Sequence, residues 1–103
     1  YIAFTRDVGG SEFYQVFLYD TQTGRSRMVS DGKSRNQSVR WSPSGKLLAF
    51  TSTRRTGRDF DVYVMDPEKP ESARLVHQAS GGRSFSTADW SPDEGALLVL
   101  SYG

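Results

Sequence analysis

Cysteine is missing from all 103 residues, so neither a disulfide framework nor a thiolate metal site is open to this chain. No apolar run approaches the roughly 18 residues of a membrane span, and no membrane partner is expected. Charge of one sign is lacking too. The 13 Lys and Arg against 12 Asp and Glu leave a net charge of +1, so no overall field draws nucleic acid or an anionic surface. No segment carries an apolar stripe at 3.6-residue spacing, which predicts no helix longer than a turn or two. Hydrophobic residues reach only 36%, yet aromatics make up 13%, enough for a real core in one modest domain. The sequence opens on "YIAFTRD", with neither an initiator Met nor a signal peptide. That opening reads as the interior of a longer protein.

What the chain does have is a repeat. Trp41 and Trp90 lie 49 positions apart, each followed by Ser-Pro. "LLAFTS" (47–52) matches "LLVLSY" (97–102) at an offset of 50, read as one residue added in the turn at "DEG". "YIAFTRD" matches "LLAFTST", and "VFLYD" (16–20) matches "VYVMD" (62–66), both at an offset of 46. "SRMVS" (26–30) matches "ARLVH" (73–77) at 47. A period of 46–50 residues belongs to blades or solenoid units.

Each repeat reads as short strands between turns. "LLAFTS" and "DVYVMD" are β-branched and aromatic runs bounded by Gly, Pro, Asp and Ser. "SPSG" sets Pro second and Gly fourth in a four-residue turn. "DPEKPES" (66–72), with two prolines, reads as a loop. Val62, Tyr63, Val64 and Met65 are apolar on both faces, so that strand needs sheets above and below it. The expected fold is all-β: a β-propeller fragment of about two blades, each a four-stranded antiparallel sheet. The expected division of the single segment 1–103 is a partial blade at 1–37, a full blade at 38–86 and a partial blade at 87–103.

With the strands placed, "WSPSGKLLAFTS", "DVYVMDPE" and "RLVHQ" carry a family resemblance. They resemble the propeller repeats of the N-terminal domains of prolyl oligopeptidase and dipeptidyl peptidase-type serine peptidases, and those of the Tol-system propeller. "TRDVGGSEFYQVFLYD" and "DGKSRN" look like bacterial members of the peptidases. The resemblance implies a non-catalytic propeller segment that gates substrate access and scaffolds an α/β-hydrolase domain. Its partners would be the rest of its own propeller, that hydrolase domain and, through the parent protein, peptide substrates. Two other readings stand beside it: a protein-binding propeller of the Tol type without an enzyme, and a ligand-binding propeller using its central funnel. The compartment stays open between bacterial cytoplasm and periplasm.

The candidate residues sort by that frame. No Gly-x-Ser-x-Gly nucleophile turn is present; Gly82-Arg83-Ser84-Phe85-Ser86 lacks the closing glycine, and no catalytic residue is assigned. Ser42 and Ser91 belong to the repeat and read as turn residues. His77, the sole histidine, reads as an edge residue. No cofactor is expected, and no His/Asp/Glu cluster shows metal-ligand spacing. Arg54, Arg55 and Arg58, beside Asp59 and Asp61, read as a solvated loop. Asn36-Gln37-Ser38 fits a glycosylation sequon, a pattern common by chance. Trp41, Pro43, Trp90 and Pro92 read as structural repeat residues, and Asp20 and Asp66 as turn-capping carboxylates. Glu12, in "GGSEFYQ", is the substrate-contact candidate, a carboxylate for an amino group as the dipeptidyl peptidase resemblance suggests. Blade faces left open imply self-association.

Overall fold

In the computed structural model, residues 2–7, 13–79 and 84–102 are described. They form nine strands and no helix, and every strand pair is antiparallel. β1 (Ile2–Asp7), β2 (Tyr14–Tyr19) and β3 (Ser26–Met28) make a three-stranded sheet in that order. β4 (Asn36–Trp41), β5 (Leu48–Ser52), β6 (Asp61–Asp66) and β7 (Lys69–His77) make a four-stranded sheet, and β8 (Ser84–Trp90) pairs with β9 (Leu97–Tyr102). The chain is an all-β propeller fragment.

Side chains point alternately to the two faces of each strand, and in β2, β5 and β6 both faces are buried. Val16, Leu18 and Val29 of the first sheet meet Leu48, Phe50, Tyr63 and Met65 of the second in one core cluster, with Trp41 half-buried against it. Phe50 stacks on Tyr63 at 5.8 Å, and their equivalents Phe4 and Phe17 stack at 5.5 Å in the first sheet. Val62 and Val64 point to the opposite face of β6 and are also buried, so that strand is covered on both sides. β7, the outer strand, is mostly exposed.

One segment departs from its sequence reading. "DPEKPES" is not a loop throughout: the turn is only Pro67–Glu68, and β7 starts at Lys69, paired with Asp66. Pro70 is tolerated there because β7 is an edge strand, where a missing N–H leaves no ladder bond unmade.

Candidate functional site

The two Trp-Ser-Pro turns have the same length. Trp41 pairs with Leu48, and Trp90 with Leu97, so the offset stays at 49 through the turn and no residue is added. In each turn the serine amide donates across to a carbonyl five residues on, Ser42 to Leu47 and Ser91 to Ala96, both at 2.9 Å. Each serine hydroxyl accepts an amide in return, Leu47 at 3.1 Å and Ala96 at 2.9 Å. Pro43 and Pro92 are exposed at the second position of these turns. The fourth position needs left-handed backbone. Gly45 supplies it at φ 74°, but Glu94 supplies it at φ 62° in the second turn, where a side chain is strained.

Glu94 is placed where its carboxylate bridges the sheets. Its Oε2 accepts the Ser44 amide at 3.1 Å and its Oε1 the Ser44 hydroxyl at 3.0 Å. Hydrogen bonding from Ser42 first, then Ser44, holds the Glu94 carboxyl below its ordinary value of 4.5. The Trp90 indole Nε1 donates to the Arg40 carbonyl at 3.2 Å, and the Thr87 hydroxyl donates to the Ser38 carbonyl. Together these ties form the seam between the second and third sheets.

A second set of repeated polar groups lies at the other ends of the strands. Gln15 is 1% exposed at the start of β2, and Asp61 is 0% exposed at the start of β6. The 46-residue offset makes them equivalent. Gln15 Oε1 accepts the Gly32 amide at 3.0 Å and the Ser30 hydroxyl at 2.6 Å, while its Nε2 donates to the Ser34 carbonyl at 2.7 Å. Asp61 Oδ1 accepts the Ala79 amide at 2.7 Å. Arg55 grips Asp61 bidentately, Nε to Oδ2 at 2.7 Å and Nη2 to Oδ1 at 3.1 Å, and also donates to the Ala79 carbonyl at 3.2 Å. In both cases a buried side chain pins the loop that leaves the outer strand. The solvated-loop reading therefore fits Arg58, whose side chain is 86% exposed, and fails for Asp61. Sequence reasoning missed this pair; the signal was a polar residue at one repeat position just ahead of each apolar run.

The remaining residues fall as follows. Asp20 Oδ1 accepts the amides of Gln22 and Thr23, and Asp66 Oδ1 that of Glu68. The Gln22 amide does most to hold the Asp20 carboxyl below its usual 3.8. His77 is exposed and meets the Phe85 ring edge-on at 4.5 Å. Asn36 is 1% exposed and its Nδ2 donates to the Tyr14 and Ser34 carbonyls, which removes it from glycosylation. The Arg54 guanidinium covers the Phe50 and Tyr63 rings at 5.3 and 4.9 Å, and burial pushes the Tyr63 phenol up. Glu12 lies outside the described residues. Among the described residues no three His, Asp or Glu gather as metal ligands. A cleft of ≈ 410 Å³ is lined by Leu18, Asp20, Arg25, Arg27 and Glu68, and one of ≈ 240 Å³ by Val64, Val76, Trp90 and Leu97.

Residues 4–97 match the dipeptidyl peptidase IV (DPP IV) N-terminal region. The chain is also 37% identical, over 89 residues, to the uncharacterized peptidase YuxL of Bacillus subtilis (strain 168). That alignment covers 85% of this chain and 13% of the relative, so the chain spans about an eighth of that protein's length.

Proposed function

Since the chain belongs to the dipeptidyl peptidase IV N-terminal-region family, we propose that it is a non-catalytic propeller segment of a serine peptidase, gating access of peptides and scaffolding a hydrolase domain. Residues 1–37, 38–86 and 87–103 serve in this reading as a partial, a full and a partial blade. Support comes from how the repeated polar residues are used. Ser42 and Ser91 close turns, Gln15 and Asp61 pin junctions, and Glu94 ties neighbouring turns. Each holds sheets or turns in place. A filter needs that, because a wall excludes large peptides only if its blades do not part.

The Tol-type reading, a propeller that binds protein partners, draws on the same turn motif and has no observation of its own. Glu12 remains the residue to test for contact with a substrate amino group.

Two measurements test the proposal. The purified chain should turn over no proline-containing chromogenic peptide, because hydrolysis needs a positioned nucleophile, base and oxyanion hole together. In the parent peptidase, Glu94→Ala should raise kcat/KM for long peptides several-fold relative to a short ester, as the seam loosens. Turnover by the chain alone, or an unchanged long-to-short ratio, would overturn it.

A further inference from the structure

The boundary between the first two sheets carries a cleft that the core does not fill. Its volume is ≈ 410 Å³, within the roughly 300–1,000 Å³ of small-molecule sites. Two hairpins of neighbouring sheets wall it, each with both of its strands in place. The β2–β3 hairpin supplies Asp20, Arg25 and Arg27, and the β6–β7 turn supplies Glu68. Leu18 is the apolar lining; it is 1% exposed and belongs to the core cluster between these sheets. Leu18 pairs with Arg27 across β2 and β3, so both side chains stand on the face that meets the second sheet.

We propose that this cleft binds a small zwitterion with an aliphatic body, an amino acid or a short peptide with both ends free. Its carboxylate would meet Arg25 and Arg27, its ammonium Glu68, and its aliphatic part Leu18. This site goes beyond the gating reading and does not rest on it.

Two unpaired charges support it. Arg25 and Glu68 are opposite in sign, exposed, and line the same cleft, yet they do not pair. Among the described residues the ion pairs are those of Arg55 and Arg58. Arg25 is held through its backbone alone, its amide donating to the Thr23 hydroxyl and its carbonyl accepting the Asp20 amide. Its guanidinium fork stays open for a bidentate carboxylate. Glu68 likewise uses only its amide, donated to Asp66 Oδ1. A bare anion in the cleft would face the Glu68 carboxylate, and a bare cation would face two guanidinium groups. A ligand carrying both charges avoids either repulsion.

The way the walls are fixed supports it independently. Arg27 Nη2 donates to the Pro67 carbonyl at 3.2 Å, so one guanidinium spans the boundary and sets the hairpin against the turn that carries Glu68. Its other nitrogens remain for a ligand. Asp20 spends Oδ1 on the Gln22 and Thr23 amides of its own turn, and its amide meets the Arg25 carbonyl at 2.8 Å. That network fixes the point at which Arg25 leaves the hairpin. The two arginine stems add methylene surface beside Leu18, which suits an aliphatic body.

Calorimetric titration of the parent peptidase tests the proposal, with leucine and ε-aminocaproate as probes. Neither has a peptide bond to cut. Leucine carries both charges on one carbon, whereas ε-aminocaproate holds them at the ends of an aliphatic chain, as a short peptide does. At least one should bind at millimolar concentration or below, and the tighter of the two assigns the ligand as amino acid or peptide. The N-acetylated form of that probe, which lacks the ammonium, should bind about tenfold more weakly. Arg25→Ala and Glu68→Ala should each weaken binding by about tenfold as well. Both variants should fold, since neither side chain has a partner to lose. Arg58→Ala, which removes an exposed charge at the far end of β6, should leave binding unchanged. Failure of both probes to bind at several millimolar, equal binding of the N-acetylated probe, or binding unaltered in Arg25→Ala or Glu68→Ala would overturn the proposal.

Discussion

The loop from β3 into β4 is gathered by a neutral side chain, Gln15, which meets a hydroxyl, an amide and a carbonyl. The loop that follows β7 is gathered by an anion, Asp61, which accepts from the Ala79 amide and the Arg55 guanidinium, while Arg55 also donates to the Ala79 carbonyl. Both side chains sit at one repeat position, and both are buried. The difference shows that the fold fixes a need for an acceptor at that point, not a charge. A glutamine satisfies it with uncharged neighbours. A carboxylate satisfies it only because Arg55 lies six residues earlier, since a lone buried anion costs several kcal/mol.

The largest expected effect breaks the charged junction. Asp61→Ala should destabilise the chain by about 3 kcal/mol, through an unpaired Ala79 amide and a lost bidentate ion pair. Gln15→Ala should cost about 2 kcal/mol, since its neutral partners lose hydrogen bonds but strand no charge. Urea melts at one fixed, dilute chain concentration compare them. Equal losses would mean that the charge contributes nothing beyond the shared acceptor.

The turns offer a finer comparison. Glu94→Ala keeps a side chain in left-handed backbone and discards the bonds to Ser44, whereas Glu94→Gly discards the bonds and relieves the backbone. The Gly variant should therefore melt above the Ala variant, close to the wild type. Gly45→Ala, which adds strain and removes no seam bond, should lower the melting temperature.

The smallest effect concerns acid. The Glu94 carboxyl is held below its ordinary 4.5 by the Ser42 and Ser44 donors, and Asp93 below 3.8 by the Ser91 hydroxyl and the Gly95 amide. Burial pushes the Asp31 carboxyl up, but the Ser34 hydroxyl and the Lys33 and Ser34 amides outweigh it and leave it lowered. A folded value below the unfolded one means stability that is present above the unfolded value and lost as pH falls through the folded one. Stability should thus be level above pH 4.5 and decline below it. Glu94→Gln should decline less steeply across that window, read as urea midpoints against pH.

Much of the fold was legible in the sequence because strands announce themselves locally. "DVYVMD" is β-prone, bounded by turn residues and apolar on both faces, and it forms β6, buried on both faces. β7 was less legible, since Pro70 speaks against a strand unless the strand is known to be an edge. The turn at Glu94 misled for a physical reason. Left-handed backbone favours glycine, so Gly95 looked like the partner of Gly45 and suggested an added residue. The Gln15 and Asp61 junctions were hidden because one is neutral and the other charged, although their shared acceptor role makes them one position. Arg55 and Asp61 were visible as neighbours, but nothing local to them shows that Asp61 is buried.

The seams also make the chain its own optical gauge. Trp41 packs against the core between the first two sheets, while the Trp90 indole reaches across to the Arg40 carbonyl. Each of the two tryptophans therefore watches a different boundary. Emission from Trp41, isolated by Trp90→Phe, reports whether the first boundary is closed. Emission from Trp90, isolated by Trp41→Phe, reports the second through a hydrogen bond that exists only while the sheets touch. Parting of the blades, which would otherwise need a label, can be followed by intrinsic fluorescence one boundary at a time.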